Sequence, residues 1–200
     1  MTTRFASLAL FTVYLFHVMF FDFLNDDAFI SFRYAHNLAE HGELTYNLGE
    51  RVEGYTNFLW TILMAGVIYL GGDVLIWSKA LSIGFGIGTL FVCAGFLKTD
   101  EDVPWQSVLV AALLIAAPAF VCWSTGGLET MMFTFFLTLG WTALAQESEL
   151  DRSLKSSIYF ALSALVRPEG ILAFGLSMLL LGGRWLYAFR SRKQLRTLCL

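Results

Sequence analysis

Charge is scarce in this chain of 200 residues: Asp, Glu, Lys and Arg make up 14% of it, against about 25% in soluble domains. What charge there is has no basic excess. The formal net charge is −3, so there is no cationic footprint for a phosphate backbone, and nucleic acid is excluded as a partner. Cysteine is limited to Cys93, Cys122 and Cys199. An odd count with no C-x-x-C spacing excludes a disulfide framework and a cysteine metal site. All three read as small apolar packing residues. No internal repeat or low-complexity tract is present. Apolar residues are abundant instead, at 57%, with 19 Phe and a mean hydropathy of +0.65. A soluble enzyme and a disordered tail are excluded as first readings. The composition predicts an all-α, polytopic transmembrane helix bundle.

The first apolar run, 5–24, is long enough to span a bilayer core, which needs about 20 residues of helix. No small-x-small cleavage site follows it, so it reads as an uncleaved first helix. His17 within it reads as a packed or interfacial residue. Later apolar runs cover 58–72, 74–97, 105–122, 130–146 and 157–189, the last interrupted at 167–170. A basic tail at 190–196 reads as cytoplasmic, and the loop 25–57 then lies outside. If 58–72 crosses fully, six Lys and Arg residues fall inside. If it only dips in and returns, Arg4, Lys98, Arg152, Lys155 and the tail give eight. Length and charge both favour the dip. All polar motifs then gather on one extracytoplasmic face. Gly84-x-x-x-Gly88 in the third run fits close helix packing in a membrane.

The loop 25–57 holds six of the 16 acidic residues. Asn25 or Asp26 suits a helix N-cap. Beyond it, Ala28, Phe32, Ala35 and Ala39 repeat at helical spacing, with Asp26, Arg33, Asn37 and Glu40 on another face. This predicts an amphipathic helix along the membrane surface. Asp26 and Asp27 stand at its start. Two acids there suit the positive end of the helix dipole; equally, they can take a proton from a hydroxyl or hold a divalent cation. In the segment from Tyr46 to Trp60, turns surround Glu50, Arg51, Glu53, Tyr55 and Asn57. Tyr and Trp suit a bilayer interface, and their rings also stack on sugars. Two polar islands interrupt later apolar sequence, Trp123 to Thr130 and Arg167-Pro168-Glu169-Gly170. Ionisable groups near lipid normally pair or work. Glu129 and Arg167 can neutralise each other, and Pro168 can end one helix and start the next.

The block Asp-Asp-Ala-Phe-Ile-Ser-Phe-Arg-Tyr-Ala at 26–35, followed by Asn-x-Gly-Glu-Arg-Val-Glu-Gly-Tyr-Thr-Asn at 47–57, resembles the N-terminal region of bacterial GT-C membrane glycosyltransferases. Within these it is closest to the mycobacterial terminal arabinofuranosyltransferase group. Gly-Leu-Glu-Thr at 127–130 and Arg-Pro-Glu-Gly at 167–170 follow in the same order. The resemblance implies a multi-pass enzyme of the inner membrane with an extracytoplasmic active face. Residues 1–200 would be one transmembrane module, the N-terminal part of a larger GT-C fold. Such an enzyme moves sugar from a polyprenyl-phosphate donor to a glycan or lipid acceptor. The resemblance places its catalytic or metal-binding acid at Asp26 or Asp27, with Glu129 joining the site and Arg167 facing it.

The chemistry expected is a single inverting displacement. Asp26 is the first candidate base and Asp27 the second. Arg33, Arg51 and Arg167 are candidate phosphate contacts, since Arg forms bidentate bonds to phosphate. Tyr34, Asn37, Glu50, Glu53, Tyr55, Asn57 and Glu169 complete the candidate substrate-binding set. A divalent ion on Asp26, Asp27 and Glu129 is compatible, but no ligand spacing demands one. His36 and His41 read as solvated surface residues. Two rivals come from other classes: a membrane scaffold that kept an ancestral outer loop, and a transporter.

Overall fold

The computed structural model describes residues 2–50, 52–96, 105–146 and 155–183. Among them the chain is all helix and turn, with no strand, as composition predicts. The helices are α1 (Thr2–Phe20), α2 (Ala28–His41), α3 (Phe58–Tyr69), α4 (Val74–Phe96), α5 (Trp105–Ala116), α6 (Pro118–Cys122), α7 (Thr130–Gln146), α8 (Lys155–Val166) and α9 (Gly170–Gly183). The run 130–146 coincides with α7. The run 105–122, expected to be continuous, is two helices. Pro118 has no backbone N–H to continue α5, and its fixed φ suits the first turn of α6. Pro168 divides α8 from α9 as expected. Lys98, Arg152, the basic tail and Cys199 lie outside the described residues.

Six helices run alternately between two ends. Ser107 Oγ donates to the Ala94 carbonyl at 3.0 Å, joining the start of α5 to the last turns of α4. His17 Nδ1 lies 3.3 Å from the Ile115 carbonyl, so α5 finishes beside the end of α1; this is the packed role expected of His17. Leu180 and Leu181 of α9 share a hollow with Trp141, Leu144 and Ala145 of α7, far from the turn that starts α9. The opposite end gathers the polar motifs. There the Asn25 N–H donates to the Gly126 carbonyl at 3.0 Å, Ser82 Oγ donates to the Leu128 carbonyl at 3.1 Å, and Lys79 Nζ pairs with Asp22 at 2.6 Å.

α2 and α3 lie side by side over this end. Their apolar faces, Ala28, Phe32 and Ala35 with Trp60, Met64 and Ala65, enclose Met132 in the first turn of α7 and Val166 at the end of α8. Asn57, just before α3, bonds Ser31 of α2. Ile68, in the last turn of α3, shares a groove with Phe32 and His36 of α2. At 12 residues, α3 is about 18 Å long and accompanies α2 instead of running through the bundle. Among the described residues one helical stretch, Val74–Gly95, is long and apolar enough to cross a membrane.

The glycine expectation needs correction. Gly84 is exposed, and a Cβ there would meet nothing within 4 Å. α4 is turned so that Ser78, Ser82, Gly86 and Thr89 are buried, a stripe of small residues spaced three and four apart. A Cβ on Gly86 would collide with the Tyr14 hydroxyl of α1 and lie 3.2 Å from Met131 Cε of α7. A Cβ on Gly88 would lie 2.8 Å from Phe135 Cε2. The contact pair is therefore Gly86 and Gly88. Gly84→Ala is expected to raise stability by up to about 1 kcal/mol through helix propensity. Gly86→Ala is expected to lower it by about 1–3 kcal/mol through overpacking. Thermal unfolding of the two variants in one detergent measures the difference in sign.

Candidate functional site

The site begins at the entry to α2. The N-cap of α2 is Asp27 and not Asn25 or Asp26; Asn25 instead makes an Asx turn ahead of it, its Oδ1 accepting the Asp27 N–H at 2.8 Å. Asp27, the last residue before the helix, makes no side-chain cap bond. Both adjacent carboxylates are exposed. Asp27, Ser31, Tyr55, Asn57, Trp123, Glu129 and Arg167 are among the residues lining one cavity of about 540 Å³. Asp26 is not in that lining.

Asn57 is the hub of the cavity wall. Its side-chain N–H group donates to Ser31 Oγ at 2.8 Å and to Glu129 Oε2 at 2.7 Å, and its Oδ1 accepts from Thr61 Oγ1 at 3.1 Å. The three residues come from α2, from α3 and from the start of α7. Glu129 is only 6% exposed. A carboxylate so withdrawn from water needs charge compensation. Arg167 Nη1 supplies it at 3.5 Å, and the N-terminal end of α7 adds its dipole. Arg167 also donates to Glu169 at 3.1 Å and lies 5.8 Å from the centre of the Phe133 ring. This hydrogen bond holds the Glu169 carboxyl below the usual carboxylate range. The mutual neutralisation of Glu129 and Arg167 expected from sequence is present.

Other candidates build the loop. Arg33 Nε donates to the Tyr46 carbonyl at 3.2 Å. Asn37, expected on the polar face, is 2% exposed. Its amide is committed to the carbonyls of Thr45 and Tyr46, at 2.8 and 3.0 Å. The buried face of α2 is thus wider than the apolar stripe, because the loop folds back over it. The Tyr34 hydroxyl donates to the Val52 carbonyl at 2.9 Å and accepts the Gly54 N–H at 2.8 Å. Glu50 accepts from Asn47 at 3.0 Å. Burial, then the charge of Glu53, then Tyr34, push the Tyr55 phenol up. Glu53 faces a neighbouring hollow, and Arg51 lies outside the described residues. Asp26, Asp27 and Glu129 do not form a ligand set; among the described residues no three His, Cys, Asp or Glu side chains gather to hold a metal ion.

Sequence reasoning missed Ser31, Thr61 and Trp123. Ser31 stands one helical turn after Asp27, and Thr61 one turn after Asn57. Spacing of four residues from a candidate polar side chain was the available signal.

Neither a protein-family model nor a solved structure matches the chain. The chain is similar to the terminal beta-(1->2)-arabinofuranosyltransferase of Mycobacterium tuberculosis (strain ATCC 25618 / H37Rv), with 28% identity over 172 residues. That alignment covers 78% of this chain and 27% of the relative, so the chain spans about a quarter of the length of the curated protein it matches. Similarity of this degree marks a distant relative.

Proposed function

We propose that the chain is the sugar-transfer module of a GT-C-type membrane glycosyltransferase using a polyprenyl-phosphate donor. One observation carries the reading: a free carboxylate, Asp27, shares a cavity with the Arg167–Glu129 pair, although the three are far apart in sequence. The distant similarity to an arabinofuranosyltransferase supports the same reaction class. The alternating helices form the membrane bundle. Exposed Phe16, Met19, Phe91, Leu172 and Leu179 on α1, α4 and α9 support this, because soluble monomers rarely expose so much large apolar surface. The α2–α3 end faces the extracytoplasmic side.

In this reading the donor phosphate lies against Arg167, whose guanidinium suits its oxygens. Tyr55 and Trp123 flank the sugar. The acceptor oxygen attacks the anomeric carbon as the bond to the phosphate oxygen breaks. The phosphate leaves with the electron pair, and the hydroxyl proton passes to Asp27. Configuration inverts. Asp26, one residue away and outside the lining, keeps the local field negative. The test is reconstitution of the full chain in vesicles with radiolabelled polyprenyl-phosphate arabinofuranose and an arabinan acceptor. Label appearing in the acceptor is the expected result; retention of all label on the lipid would remove the proposal.

A further inference from the structure

Arg33, expected from sequence to meet a phosphate, is outside the lining of the first cavity. It stands instead in a groove of about 500 Å³ between α2 and the turn from α3 into α4. The walls come from residues 29–36 and 68–75, stretches described without a break. Phe29, Phe32, Ile68 and Leu75 make the groove apolar. Arg33, His36 and Asp73 are its ionisable groups, and all three are exposed. Arg33 commits its Nε to the Tyr46 carbonyl; among the described residues its two terminal nitrogens make no hydrogen bond. Asp73 Oδ1 caps α4 by accepting the N–H groups of Leu75 and Ile76 at 2.8 and 3.1 Å, which leaves Oδ2 open. Among the described residues neither Arg33 nor Asp73 forms an ion pair, although they line one groove with opposite charge.

The surface around the groove identifies its surroundings. Tyr69, Leu70, Ile76 and Trp77, next to it in sequence, are all exposed, Leu70 by 84%. Apolar surface of this kind is covered by lipid in a membrane protein, and Tyr and Trp belong at the headgroup level. At that level an apolar wall with a separate cation and anion has the polarity of a zwitterionic phospholipid. The Arg33 guanidinium suits the phosphate oxygens. The open Asp73 oxygen only accepts hydrogen bonds. It therefore favours a primary ammonium, which has N–H groups to donate, over a quaternary one, which has none. The apolar wall takes the start of an acyl chain. A free phosphate leaves that wall and Asp73 unmatched, and an anionic lipid meets Asp73 with like charge.

We propose that this groove binds an aminophospholipid of the leaflet that α2 and α3 face, with its phosphate on Arg33 and its ammonium on Asp73. The inference rests on the membrane placement of the bundle proposed above and not on the transfer chemistry. Native mass spectrometry tests it on the full chain, stripped of lipid in detergent. The protein is titrated with phosphatidylethanolamine, phosphatidylcholine and phosphatidylglycerol of identical acyl chains. Wild type is expected to bind phosphatidylethanolamine about two- to fivefold tighter than either of the others, the worth of one exposed ion pair. Asp73→Asn keeps the helix cap, since asparagine caps as well as aspartate. Its unfolding temperature stays near that of wild type, and its preference among the three lipids is lost. Arg33→Gln weakens the binding of all three, because each carries the phosphate. Equal binding of the three lipids by wild type, or a preference that survives Asp73→Asn, overturns the site. Displacement of bound phosphatidylethanolamine by an equimolar amount of polyprenyl phosphate gives the groove to the donor and overturns it too. A lipid preference found without sugar transfer leaves this site standing and removes the transferase; transfer without the preference does the reverse.

Discussion

Asp27→Asn is expected to lower sugar transfer by about 10²–10⁴-fold, the contribution of a positioned general base, with donor affinity little changed. Asparagine keeps the size and polarity of the side chain and removes only its capacity to take a proton. Stability should not fall with activity. Asp27 is exposed and makes no side-chain cap bond, so the amide disturbs no contact of the fold. Asp26→Asn is the internal comparison. Asp26 lies outside the cavity lining, and its loss should reduce transfer by less than tenfold, through the local field alone. Initial rates for the two variants at saturating donor decide between neighbouring carboxylates. A reversed order, with Asp26→Asn the damaging change, would move the base by one residue.

That choice was out of reach of the sequence, and the reason is local. Adjacent residues at a helix entry point about 100° apart once helical geometry begins, so only the position of the first turn says which acid faces inward. Asn25 fixes that position by accepting the Asp27 N–H, and two residues of the chain qualified as caps. Elements set by periodicity or by a breaker were legible. The Ala28, Phe32 and Ala35 stripe is buried, and Pro168 separates two helices where expected. The pairing of Glu129 with Arg167 was legible too, because opposite charges in apolar surroundings have few other partners. Rotation of α4 was not. Gly84, Gly86 and Gly88 are equivalent to composition, and the bulk of Tyr14 and Phe135 decides which of them must be small. Asn37 was misplaced for a related reason. Its burial is imposed by a loop of the same chain folding back across α2, a contact that helical spacing does not encode.

The Arg167–Glu129 pair gives the second large effect, and stability and activity should separate in it. Arg167→Met leaves the nearly buried Glu129 carboxylate with Asn57 as its hydrogen-bond donor and no countercharge. Removing one member of a fully buried pair costs about 3–5 kcal/mol. The Arg167 side chain is 35% exposed, so water screens part of the change, and a loss of about 2 kcal/mol is expected, roughly 4–8 °C in Tm for a chain of this size. Glu129→Gln should cost less than about 1 kcal/mol, because the amide oxygen still accepts from Asn57 and Arg167 keeps Glu169. The double variant then carries no orphaned charge and should recover most of the stability lost in Arg167→Met, with a coupling above about 1 kcal/mol in the cycle. Its transfer activity should stay as low as that of Arg167→Met, since the guanidinium proposed to face the donor phosphate is gone in both. Thermal unfolding and donor KM measured on all four proteins close the cycle. Recovery of activity together with stability would reduce Arg167 to a counterion of Glu129, and equal stability losses in the single and double variants would show that the carboxylate never depended on it.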